Sequence, residues 1–174
     1  TPLPDEVPFV APLHSGVEGH GWMGEGGLRN NITRDITKHR AFSGRVVKTT
    51  QDSYEETMQV TFYERSPNVL ATVFGDDNVT VDVGGGHRKM TVRHEEDRLP
   101  VSSFVIRVVE GEKTSVIVIP EGQVTEVDEI EINHQSLWMY VVTIDTFKPA
   151  TGTNPTNPAA VNEYIDEPDV ASGT

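Results

Sequence analysis

The alternation of apolar and polar positions predicts a chain made mainly of β-strands. Over residues 53–64, Met58, Val60 and Phe62 fall on one face and polar residues fall between them, a period of two that is typical of a half-buried strand. We expect residues 44–51 to be its hairpin partner, joined by a polar turn near Asp52 and Ser53. Further strands are predicted over 78–83, 89–94, 103–109, 114–119, 129–133 and 137–147, which gives seven or eight strands in all.

One segment, at about residues 66–74, has the pattern of a helix. Ser66 is a suitable N-cap and Pro67 suits the first helical position, where its missing N–H is not needed. Val69, Leu70, Val73 and Phe74 form one apolar stripe, and Gly75 is a suitable end. So short a helix is marginal in water, so we expect packing against the sheet to hold it.

The remaining composition divides the chain into three parts. Residues 1–21 carry repeated prolines and predict an extended N-terminal arm, and residues 22–147 are the β-rich core. Residues 148–174 are rich in Pro, Thr, Asn and acids and predict a C-terminal arm that is flexible or ordered by a partner. Within the core, residues 22–28 are predicted to be a loop, and Gly84, Gly85 and Gly86 a flexible turn between two strands.

Two predicted strands, 103–109 and 115–119, are apolar on both faces. Such runs are typical of strands that are buried on both sides. Two interpretations fit: a two-sheet core within the chain, or cover supplied by a neighbouring subunit.

Charge is abundant and unevenly distributed. The 174 residues carry a formal net charge of −13, which argues against sequence-independent DNA binding. Six bases and the single acid Asp35 lie between Arg29 and Lys48, whereas six acids and no Lys or Arg lie between Thr114 and Phe147. Either these are solvated faces, or copies of the chain meet with basic segments against acidic surfaces.

The candidate chemistry is sparse. The chain has no Cys, its six His residues lack metal-ligand spacing, and no Ser, His and Asp combination indicates a nucleophile. We therefore expect no enzymatic activity, no metal and no cofactor. No apolar run reaches the roughly 18 residues of a membrane span, so no membrane partner is expected. Glu129 and Glu131 share one face of a predicted strand, which is either solvated or lines a passage that repels a polyanion.

The order of these elements resembles a known family. The motif WMGEGGL (22–28), a strand ending in TFYE (61–64), the helix SPNVLATVFG (66–75) and a β-rich second half follow one another. This order is similar to the major tail tube protein of long non-contractile-tailed bacteriophages. The resemblance covers residues 22–147, although Phe42–Ser43–Gly44 departs from the Trp–x–Gly of the family pattern.

The resemblance implies a fold and a role. The fold would be a β-sandwich or barrel flanked by one helix, assembling into six-membered rings with a continuous inner β-barrel. Stacked rings would form the virion tail, assembled in the host cytoplasm, with the tape-measure and tail-end proteins as partners. Genomic DNA would pass without specific binding, along a lumen to which Glu129 and Glu131 contribute. The predicted contacts between subunits are Arg29, Arg34, Lys38, Arg40, Gly84, Gly85 and Gly86.

Two other functions remain open from the sequence. A tail terminator or distal-tail adaptor would form a single ring of a related fold. A monomeric β-sandwich could instead bind carbohydrate, with Trp22 and Trp138 as platforms.

Overall fold

A computed structural model describes residues 19–20, 23–128, 130, 138–149 and 159–168. The fold is mainly β with one short helix, as the sequence predicts, and a curled sheet forms a half-barrel, which is consistent with the β-sandwich or barrel that the resemblance implies. Within the described residues the strands are β1 (Met23–Arg40), β2 (Val46–Phe62), β3 (Val79–Gly84), β4 (His87–Val92), β5 (Ser102–Glu110), β6 (Lys113–Val127), β7 (Tyr140–Phe147) and β8 (Asn162–Asp166). Helix α1 spans Pro67–Phe74, and a 3-10 turn follows at Asp76–Asn78.

The large sheet has six antiparallel strands. Its order is β1-β2-β7-β6-β5, and β8 pairs with the start of β6 on the edge that β7 occupies further along. Strands β3 and β4 form a separate two-stranded hairpin. One face of the large sheet carries the core: the side chains of β2 pair with those of β7 along Met58–Ile144, Val60–Val142 and Phe62–Tyr140.

Helix α1 covers this core-side face, and its prediction is confirmed. The side chain of Ser66 accepts a hydrogen bond from the backbone N–H of Val69 at 3.3 Å, and Gly75 ends the helix. Val69, Leu70 and Val73 are buried against the sheet. The stripe read from the sequence is therefore the packing face of the helix.

The residues described ahead of β1 contact helix α1. Of the predicted N-terminal arm, residues 1–21, only Gly19 and His20 belong to the described residues. Asn68 donates to the carbonyl of Gly19 at 3.0 Å, and the His20 ring lies 2.7 Å from the hydroxyl of Thr72. Residues 19 and 20 therefore lie beside the helix.

The predicted first hairpin is wrong in two respects. Strand β2 continues through residues 46–62 without turning, and its partner is β1, which begins at Met23 inside the predicted loop 22–28. Asp52 is accommodated at a register shift, where a strand can hold an extra polar residue as a bulge. The true turn lies at residues 41–45, where Gly44 has a φ of +81°, a conformation that favours glycine.

The cover on the two apolar strands differs. In β6, Val116, Val118 and Ile119 are all buried within the chain, so of the two interpretations, cover from a neighbouring subunit is not needed for this strand. In β5, Val108 and Val109 at the far end remain exposed.

Part of the predicted C-terminal arm is ordered by its own chain. Residues 162–166 form β8 and pair with residues 114–118 of β6. The prediction of a flexible or partner-ordered arm missed this strand because the alternation in NEYID spans only five residues. A hydrogen-bonding edge of β6 was available to satisfy its backbone.

Candidate assembly surface

The distal part of the β1–β2 hairpin projects beyond the sheet. Strand β2 pairs with β7 only over Thr57–Phe62, so residues 46–56 pair with β1 alone. We call residues 29–56 the ribbon. Its side chains are exposed over residues 29–40 and 42–49. A two-stranded hairpin with both faces in water is marginally stable, so a surface that covers one face would stabilise it.

The two faces of the ribbon differ in chemistry. One face continues the core-side face of the sheet, because cross-strand partners share a face and the partners of Leu28 and Asn30 are the core residues Val60 and Met58. Further out, this core-side face carries three exposed apolar residues, one tyrosine and three bases. They are Ile32, Ile36, Val46, Tyr54, Arg34, Lys38 and Arg40.

The outer face of the ribbon is polar. It carries Thr, Asn, Ser and charged side chains, among them Thr33, Asp35, Glu55 and Lys48. Arg29 also lies on it, opposite Gln59. The structure therefore places Arg34, Lys38 and Arg40 together and separates the fourth predicted contact, Arg29, from them.

A hydrogen-bonded cluster holds the base of the ribbon on its core-side face. The carboxylate of Glu56 accepts hydrogen bonds from the side chains of Asn30 at 2.8 Å and Tyr54 at 2.6 Å. Glu56 is only 7% exposed, so these donors replace the water that its charge has lost. The Arg34 guanidinium lies 4.9 Å above the Tyr54 ring.

This cluster changes the acidity of one phenol. The hydrogen bond to Glu56 is the main cause that raises the pKa of Tyr54 above its usual value of 10.0. Burial and the negative charge of Glu56 act in the same direction, and the positive charge of Arg34 opposes them. The sequence analysis missed the pair, although positions two apart on a strand share a face.

The ribbon concentrates positive charge on a chain that is otherwise acidic. Within the ribbon, residues 29–48 hold six bases and one acid and residues 49–56 add three acids, whereas the residues outside the ribbon hold eight bases and 23 acids. The basic segment of the sequence is thus one projecting element. Its attraction to an acidic surface would be strong at low salt and screened at high salt.

The second predicted contact region is the tip of the β3–β4 hairpin. Gly84 ends β3, and Gly85 and Gly86 turn the chain with φ values of +60° and +77°. Two successive positive φ values fit the tight turn that matches the twist of a hairpin. The tip is exposed, and it is a defined turn.

The predicted acidic wall is described only at its border. Glu129 and Glu131 lie outside the described residues. Their neighbour Asp128 accepts a hydrogen bond from the side chain of Gln59 at 3.2 Å, on the outer face of the sheet. Asp145 and Glu55 are on the same face.

Of the two predicted carbohydrate platforms, Trp22 lies outside the described residues. Trp138 is half-buried, and the Arg65 guanidinium lies 3.8 Å from the centre of its ring. One face of this indole is therefore occupied by a cation. This leaves less of it for stacking on a sugar.

Two further findings bear on the remaining classes of function. In the part of the chain that the structure describes, no three His, Asp or Glu side chains are grouped as metal ligands. None of the helical segments described is long and apolar enough to cross a membrane. In comparisons with known proteins, no family model matches the chain and no curated protein matches it.

Proposed function

We propose that this protein is a structural subunit that assembles with copies of itself into rings, and that stacked rings form a bacteriophage tail tube. The observation that carries the proposal is the ribbon: a projecting element whose exposed core-side face combines apolar side chains with three bases. The tube would consist of stacked six-membered rings. DNA would pass through it passively, with no covalent bond made or broken. The order of sequence elements that resembles the tail tube family supplies the rest of the argument.

The energetics of the ribbon favour a binding partner. Ile36 is 51% exposed and Phe42, at the turn, is fully exposed. Burying apolar surface is favourable by about 25 cal/mol per Å², and a covering partner would also fix a hairpin that has little else to hold it. Residues 29–48 would be drawn to an acidic partner, and the rest of this chain provides an acidic surface at the same concentration.

The proposed passage would repel DNA. Glu129 and Glu131 remain our proposed lumen residues, and Asp128 and Asp145 place further acids on the outer face of the sheet. DNA carries about one negative charge per 1.7 Å of duplex. A wall with even a few attractive contacts in each ring would slow its passage, because those contacts would repeat along the tube.

The test compares two double charge reversals of equal size. The variant Arg34→Glu with Lys38→Glu changes the core-side face, and Arg29→Glu with Lys48→Glu changes the outer face by the same four charge units. We expect the wild-type chain to form rings and tubes in negative-stain electron micrographs. The first variant should remain monomeric under the same conditions, and the second should still assemble.

The outcomes separate the alternatives. Only monomers of wild-type protein at every concentration and salt would reject the proposal. Rings that never stack would indicate a terminator or adaptor. A monomer that binds glycans saturably would indicate a carbohydrate-binding module. Equal loss of assembly in both variants would show that total charge matters and the core-side face does not.

A further inference from the structure

The β3–β4 hairpin carries an apolar stripe that the core covers at one end only. Val79 and Val92, at the base of the hairpin, pack against the core. Val81, Met90 and Val83 follow on the same face, because Val79–Val92 and Val81–Met90 are cross-strand pairs in successive same-face rows. Their exposed fractions are 40%, 37% and 75%. The stripe thus leaves the core and enters solvent.

A single base ends the stripe. Arg88 pairs with Val83 and shares its face, whereas Lys89 pairs with Asp82 on the opposite face. The hairpin is two-stranded, with no third strand paired to it among the described residues. It therefore presents an apolar strip with one positive charge at its tip.

A complementary patch lies at the end of the β5–β6–β8 part of the large sheet. Val108 and Ile165 flank Ser115 in one row of the core-side face, and both are exposed. Glu110 and Glu163 share this face. We call this group the acidic end.

The acidic end keeps an excess of negative charge. Its one nearby Lys, Lys113, already pairs with Glu167 at 3.0 Å. Glu110 and Glu163 remain to attract a base from outside. The acidic end is thus an apolar pair flanked by negative charge. Its apolar pair is complementary to the apolar stripe of the hairpin, and its negative charge is complementary to the single base at the hairpin tip.

We propose that the stripe of one copy docks on the acidic end of the next copy, so that Val81, Val83 and Met90 cover Val108 and Ile165. Arg88 then meets Glu110, and Glu163, on the other side of β6, adds to the negative charge that attracts it. The stripe and the acidic end are both exposed to solvent on the chain that carries them. In the proposed contact, the surface that covers each of them therefore belongs to another copy. This inference rests on the proposed self-assembly and names a second contact, separate from the ribbon.

Joining two different patches has a consequence for symmetry. A contact in which patch and partner patch differ is heterologous, and repeating it produces a closed ring or an open filament. A two-fold dimer would need one self-complementary patch. The pairing of stripe and acidic end therefore fits a ring.

A charge-reversal experiment with rescue tests the contact. Arg88→Glu places like charges together, and we expect the self-association constant from sedimentation velocity to fall by roughly tenfold or more at low salt. Lys89→Glu makes the same charge change one residue away on the other face of the hairpin. We expect it to change the self-association constant by less than about twofold. Adding Glu110→Arg and Glu163→Arg to the Arg88→Glu chain should restore association.

A second experiment uses the absence of native Cys from the sequence. An Arg88→Cys chain mixed with a Glu110→Cys chain should form a disulfide-linked pair under mild oxidation. A Lys89→Cys chain in the same mixture should form far less. These cysteine variants carry no reversed charge. The cross-link therefore tests the contact even if Arg88→Glu disturbs the folding of the hairpin.

The outcomes keep this inference separate from the proposed function. If wild-type protein assembles, but Arg88→Glu assembles equally well and residues 88 and 110 do not cross-link, the contact is wrong and the tube proposal stands. If wild-type protein never assembles, both proposals fail.

Discussion

Removing the hydroxyl of Tyr54 tests whether the hydrogen-bonded cluster around Glu56 stabilises the ribbon. The variant Tyr54→Phe keeps the ring below the Arg34 guanidinium and removes one of the two side-chain hydrogen bonds to the Glu56 carboxylate described above. A hydrogen bond to a charged group contributes about 1.5–3 kcal/mol. Tyr54 is 41% exposed, so water replaces part of the bond, and we expect a loss of about 1 kcal/mol.

A loss of that size is a factor of about five in an opening equilibrium. It should appear locally, because residues 46–56 pair with β1 alone while residues 57–62 are also held by β7. Hydrogen exchange at neutral pH, followed by mass spectrometry, should show roughly fivefold faster exchange in peptides from residues 29–40. Peptides from β7 should be unchanged.

The matched control is Glu55→Gln, one residue along on the outer face of the ribbon. It changes an exposed side chain of the same strand and should leave the exchange of residues 29–40 within about twofold. If Tyr54→Phe exchanges like wild type, or if every strand accelerates equally, the cluster around Glu56 does not hold the ribbon and the reasoning is refuted.

Two further predictions concern alkaline pH and the core. Because the pKa of Tyr54 is raised above 10.0, its hydrogen bond stabilises the fold below pH 10 and is lost as the pH rises through the folded pKa. The difference in tyrosinate absorbance between wild type and Tyr54→Phe should therefore titrate above pH 10, and a midpoint below 10 would contradict this. In the core, a Cβ on Gly122 would lie 2.9 Å from Ile144 and 3.0 Å from Phe104, so Gly122→Ala should destabilise by about 1–3 kcal/mol in urea unfolding. Gly84→Ala, whose Cβ meets nothing within 4 Å, is the control, and equal effects of the two changes would be unexpected.

The elements that could be predicted from the sequence are those that depend on local patterns. Helix α1 has its cap, its proline and its apolar stripe within nine residues, and the structure confirms each of them. The β3–β4 and β5–β6 hairpins each join two adjacent predicted strands through a turn that contains glycine, and both form in the structure. In these cases neighbours in the chain are also neighbours in space.

The first hairpin shows where local reasoning failed. A polar segment such as Gln51–Ser53 is a turn or a bulge depending on whether a partner strand lies beside it. That partner, residues 23–40, lies beyond the turn at residues 41–45 and has a weak alternating pattern. The same limit hid β8, whose five residues form a strand because β6 offers them an edge.

The candidate surfaces divide in the same way. The sequence by itself determined that the chain is β-rich, acidic overall and basic over residues 29–48, because composition and periodicity do not depend on the fold. Only the tertiary structure decided that Arg34, Lys38 and Arg40 share the core-side face while Arg29 does not, since this depends on residues 23–40 forming one strand that pairs with β2. It also decided that β6 is covered by its own chain while the ribbon and the β3–β4 stripe are not. The burial of a strand depends on the elements that pack against it, so the sequence of the strand alone does not determine it.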